Sequence, residues 1–157
     1  MDSNRCSPEG RERPPSRPPG RLAPLAAVVD DLVAEDVDGL PDAVLAEEVL
    51  ALRRLMERLE GRWLKGLAAV DGRGAAGADQ GIQAASTASW LRNRLHLGAS
   101  AASNAVRTAR ALFRGPLTGT AQALCDGELS AAHASALAHG THHLPTQVTA
   151  QAEPVLV

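Results

Sequence analysis

Residues 86–138 read STASWLRNRLHLGASAASNAVRTARALFRGPLTGTAQALCDGELSAAHASALA, and helix stops and starts follow one another closely through this stretch. Ser86 or Thr87 supplies a side-chain oxygen to cap a helix that carries Trp90 and Leu91, reaches about Leu97 and stops at Gly98. Ser100 caps the next, which ends at Gly115-Pro116. A short helix from about Thr120 to Asp126 closes on Gly127, and Ser130 caps another that ends near Gly140. Leu144-Pro145-Thr146 opens a last one. No segment alternates apolar and polar residues with period 2, so the spacing predicts an all-α chain.

Upstream, Leu45, Val49, Leu52, Met56, Leu59 and Trp63 recur at intervals of 4 and 3, and Leu67 and Val70 extend the seam. That is one face of a helix, predicted over residues 42–70, with Glu47 and Glu48 near its positive end. Gly66 falls on the apolar side, where it permits a close approach or a bend. The expected architecture is therefore one long amphipathic helix followed by a bundle of shorter ones. Asp71 to Gly81 is Gly-rich and reads as a loop. Residues 1–24 hold six prolines and five arginines and read as a disordered basic tail. A helical domain is expected over 25–157, beginning with a short amphipathic helix at Leu25–Glu35.

A chain of 157 residues accommodates one domain with a modest core. Trp63, Trp90 and Phe113 are the aromatic residues, so Leu, Val and Ala must supply most of the buried area and the stability should be marginal. The net charge of -2 conceals a partition. Residues 1–21 carry +2, residues 22–52 carry -8, residues 53–114 carry +7 and residues 115–157 carry -3. Such blocks suit either internal docking of acid on base or a basic surface for a polyanion. The two cysteines, Cys6 and Cys125, give no disulfide framework. The apolar run Leu22 to Val29 contains Pro24 and meets Asp30-Asp31, which fits neither a secretory leader nor a membrane span. A soluble, cytoplasmic protein is expected.

The order Trp90-Leu91, then Val106-Arg107-Thr108-Ala109-Arg110-Ala111-Leu112, then the Pro116 break, then Gly127-Glu128-Leu129-Ser130 with His133 and Ala134, carries a likeness. It resembles the helical N-terminal region of actinobacterial HNH endonuclease-like proteins, the 13E12 repeat family, also called domain of unknown function 222. The likeness spans roughly residues 40–157. It implies a helical accessory region of a nuclease system, with DNA as partner and no catalysis of its own. In that family the nuclease motif lies further toward the C-terminus. The chain to Val157 holds no His-Asn-His constellation, so the resemblance implies a region cut off before the nuclease and transfers no catalytic residue.

Among candidate sites, Gly72-Arg73-Gly74-Ala75-Ala76-Gly77 spells GxGxxG but follows a helix where a dinucleotide cradle follows a strand, so no such cofactor is expected. His139, His142 and His143 lack the ligand number and spacing of a zinc site, and no metal is expected. No Ser and His spacing identifies an activated nucleophile. The basic faces are the stronger signal. Arg107, Arg110 and Arg114 share one side of their helix, Ala102, Val106, Ala109 and Phe113 occupy another, so the arginines should face out, and Arg92 and Arg94 lie on the helix before. Arg54, Arg58, Arg62 and Lys65 form a second row on the long helix. Guanidinium groups fork onto phosphate, so these eight arginines, with Lys65, are the expected DNA contacts, against a merely solvated face. The Gly98 turn is only helix-turn-helix-like, because Asn104 and Arg107 stand where that motif packs inward. The other reading of the chain is a helical interaction or oligomerisation scaffold built on the Leu45–Val70 seam.

Overall fold

A computed structural model describes residues 20–78 and 84–157. The elements among them are α1 (Ala23–Ala34), α2 (Asp42–Arg73), α3 (Thr87–Leu95), α4 (Ala99–Phe113), α5 (Thr118–Asp126), α6 (Ala131–Thr141) and α7 (Thr146–Leu156), with 3-10 turns at Gly20–Leu22 and Ala75–Ala78. The all-α expectation is met, and no strand occurs among the described residues. The chain divides into two compact units, residues 1–45 and 46–157.

In the first unit, α1 starts two residues earlier than its periodicity suggests, because Pro24 sits in the first turn, where its missing N–H costs nothing. Residues 20–22 form a 3-10 turn, so the part of the expected tail after residue 19 is ordered into helix. The rest of that expectation, residues 1–19, lies outside the described residues. No residue of α1 is buried.

The second unit is organised around α4, which packs against α3, α5 and α6, while α5 also meets α6 and α7. Ala102, Val106, Ala109 and Leu112 present one buried face of α4 to this centre. Leu64, Leu67, Leu91, Leu117, Leu124, Ala134 and Ala138 close around it. Small residues at Ala102, Ala109 and Ala134 are fully buried and let helix axes approach closely.

Several helix ends differ from the expectation. The long helix continues past Val70 to Arg73, so the first three residues of the expected loop are helical and Ala75–Ala78 form a 3-10 turn. The Gly72 propensity penalty, about 1 kcal/mol, is outweighed by bonds from Asp71 and Ala68 to α4. Gly74, at φ 65°, ends the helix in the left-handed conformation. α3 stops at Leu95 and not at Leu97, and the left-handed residue is His96 (φ 54°). Gly98 is instead the N-cap of α4, and Ser100 lies inside the first turn. Ser86 and Ser130 do cap α3 and α6, accepting from the N–H groups of Ser89 and His133 at 3.1 Å. Gly127 closes α5 at φ 78°.

Two caps come from distant elements. The Glu57 carboxylate on α2 accepts from the Ala131 N–H at 2.7 Å, at the start of α6. Glu153 on α7 accepts from the Thr120 N–H at 2.7 Å and its hydroxyl at 2.8 Å, in the first turn of α5. Each carboxylate is buried, and each meets the positive end of a helix dipole. Arg53 pairs with Glu57 from the preceding turn of α2. The close approach expected at Gly66 occurs at Gly61, where an added Cβ would lie 3.1 Å from Cys125 Sγ and 3.3 Å from Leu124. At Gly66 the near neighbour is the tip of Arg62 on the same helix.

Candidate nucleic-acid interface

The arginines of α4 stand on the side turned away from its buried alanines, and each is held by a neighbouring element. Arg110 forks onto Asp71 at the end of α2, with Nε to Oδ2 at 2.6 Å and Nη2 to Oδ1 at 2.8 Å. Thr87 donates its hydroxyl to the same carboxylate at 2.8 Å. These hydrogen bonds, the one from Arg110 foremost, hold the Asp71 carboxyl below its ordinary range and hold Arg110 above its own. Arg114 donates Nε to the Ala68 carbonyl at 3.0 Å. Its guanidinium crosses directly over Gly72, where a Cβ would stand only 1.9 Å from Cζ. The first glycine of the GxGxxG run therefore makes room for an arginine.

Arg107 donates Nη1 to His139 Nδ1 on α6 at 2.7 Å, which leaves the His139 ring proton on Nε2. His142 Nδ1 in turn donates to the His139 carbonyl at 2.7 Å, and the two rings stack with centroids 5.5 Å apart. His143 meets His142 edge-on.

Arg107, Arg110, Arg114, Asp71, Thr141 and His142 thereby line one cleft of about 470 Å³. A second hollow of about 420 Å³ continues from Arg107 between α4 and α6, past Asn104, Ser135 and His139. With neutral histidines, three guanidinium cations against one carboxylate leave the first cleft at +2. A concave, basic surface with arginines already braced in position is suited to an anion.

The other six expected contacts lie elsewhere. Arg92 and Arg94 are exposed on α3, and Arg94 is engaged within the molecule. Arg54, Arg58, Arg62 and Lys65 are exposed along α2, away from the cleft. The sequence places the three α4 arginines on one side of their helix but does not reveal Asp71 and His139, which bind Arg110 and Arg107 from 39 and 32 residues away. A lone acid at the end of the basic α2 was the available signal for Asp71. Among the described residues, no three His, Cys, Asp or Glu side chains cluster as metal ligands would. Nor is any helix among them long and apolar enough to cross a membrane.

A family model, Domain of unknown function (DUF222), matches residues 44–155. The chain belongs to the DUF222 family. The DUF222 match runs from the first turn of the long helix to the last turn of α7, so the whole cleft and both distant carboxylate caps lie inside the family region. No curated protein and no solved structure matches the chain.

Proposed function

We propose that this DUF222 chain is a non-catalytic, DNA-binding accessory module of an HNH endonuclease-like protein, and that a phosphodiester backbone enters the Arg107–Arg110–Arg114 cleft. The observation that carries the reading is the convergence of three guanidinium groups on one concave surface. Arg107 and Arg114 spend their internal bonds on uncharged acceptors, so their positive charges remain for an anion. Arg110 is paired with Asp71 and acts mainly as a brace. The likeness of the chain to HNH-associated proteins supports DNA over other polyanions. Arg92, Arg94 and the row Arg54, Arg58, Arg62 and Lys65 supply further phosphate contacts outside the cleft.

The test is the binding of a short DNA duplex, followed by fluorescence anisotropy over a series of salt concentrations. Changing Arg107 and Arg114 together to Gln should weaken binding and lower the logarithmic salt slope by about two, one for each lost phosphate contact. Asp71→Asn raises the cleft charge by one and should tighten binding. A variant that had merely lost its fold would not bind more tightly, so the opposite signs separate electrostatics from damage. If both variants bind as the parent does, the cleft is not the site.

A further inference from the structure

Val49, Leu52, Met56 and Leu59 form a continuous stripe on α2 and remain 59%, 44%, 50% and 44% exposed. Glu57, Gly61, Leu64, Leu67 and Ala68 are the buried positions of α2; Glu57 and Gly61, level with the stripe, lie roughly a quarter-turn or more around the helix from it, and Leu67, beyond its end, carries the same face into the bundle. Leu55, 47% exposed, flanks the stripe on its other side. Contiguous apolar surface of this kind on a helix marks an interaction site.

We propose that the stripe is the dimerisation surface of the chain, and that a second copy covers it by antiparallel pairing of α2 with α2. Two features identify the occupant. The first is spacing. The intervals 3, 4 and 3 read the same from either end, so a two-fold axis near Arg54 sets Val49 against Leu59 of the second copy and Leu52 against Met56 of the second copy. The second is charge. Asp42, Glu47 and Glu48 stand at the N-terminal end of α2 without a base among them, while Arg53, Arg54, Arg58, Arg62 and Lys65 follow. In the antiparallel register Glu48 meets Arg62 of the second copy on the edge beside the stripe, Arg62 meets Glu48 of the second copy, and Leu55 meets its own counterpart between them. The helix dipoles also oppose.

A parallel pair would instead bring the acidic ends together and the basic ends together. The antiparallel register brings Glu48 and Arg62 of the two copies together on one edge of the stripe. No stripe residue lines the cleft, and of the proposed phosphate contacts only Arg62 is also taken up by the pairing.

Sedimentation equilibrium of the full chain tests it. The parent should sediment as a concentration-dependent dimer. Met56→Glu, which enters the interface twice, should raise the dissociation constant by roughly a hundredfold or more. The residue is half exposed in the single chain, so the far-ultraviolet circular dichroism should not change. Glu48→Arg alone and Arg62→Glu alone should each weaken the dimer about tenfold, and the double variant should restore it. Chains bearing Val49→Cys mixed with chains bearing Leu59→Cys should cross-link to one another in preference to themselves. A chain that stays monomeric up to roughly 100 µM overturns the proposal, whether α1 or another protein covers the stripe. So does a dimer that Met56→Glu leaves unchanged, or one in which Val49→Cys prefers its own copy.

Discussion

Asp71 accepts three hydrogen bonds, two from Arg110 and one from Thr87, and thereby fastens the end of α2 to both α3 and α4. Its side chain is 12% exposed, whereas that of Arg110 is 61% exposed, so the pair sits at the rim of the bundle and solvent screens much of its attraction. Asp71→Asn keeps the shape but removes the charge, and should cost about 1 kcal/mol at pH 7. The sign of the pH dependence follows from the lowered Asp71 pKa. The folded state favours the ionised carboxylate, so this contribution is fully present above the ordinary value of 3.8 and is lost as the pH falls through the lower folded value. Thermal melts of parent and variant should therefore differ equally at pH 7 and pH 5, and converge only below about pH 4. A gap that closes already between pH 7 and pH 5 would mean that another group, and not Asp71, sets the difference.

Along α2 the two mid-helix glycines have opposite standing. Gly66 has open space apart from the flexible tip of Arg62, so Gly66→Ala should stabilise the chain by up to about 1 kcal/mol through helix propensity alone. Gly61 lies against Cys125 and Leu124, and a methyl there is tighter than ordinary contact, so Gly61→Ala should lose that gain or turn it into a net cost. Urea denaturation of the two variants checks the order, and equal stabilisation by both would show that α5 does not press on α2 at this point. The sequence reads correctly wherever an element's own residues decide. Ser86, Ser130 and Gly127 end helices by local bonding, and the period of the apolar residues marks α2. It misleads where a partner far along the chain decides. Gly72 stays helical although glycine disfavours it, and Arg110 and Arg114 of α4 bind Asp71 and Ala68 beside it. The spacing of the α4 arginines was visible for the same reason that their partners were not: one is a property of a single helix, the other of helices brought together by the core.

At the scale of the molecule, the two surfaces have separate destinations. The basic cleft of α4 lies within the bundle, while the apolar stripe of Val49, Leu52, Met56 and Leu59 on α2 is left exposed. One can therefore serve a polyanion while the other serves a second chain. The two distant carboxylate caps bear on something else, the order in which the bundle loosens. Because Glu153 holds the first turn of α5, detachment of α7 strips that turn of two hydrogen bonds and leaves a buried helix end unsatisfied. α5 and α7 should then open together as one sub-global unit. Glu57 ties α6 to α2 in the same way. Native-state amide exchange should show the Thr120 N–H exchanging with the free energy of α7 and not with that of the α3–α4 pair, and Glu153→Gln should lower the protection of Thr120 while leaving Leu91 and Ala109 unaffected. A chain whose local propensities are modest thus gains cooperativity from two side chains, each of which makes the fraying of one helix the business of another.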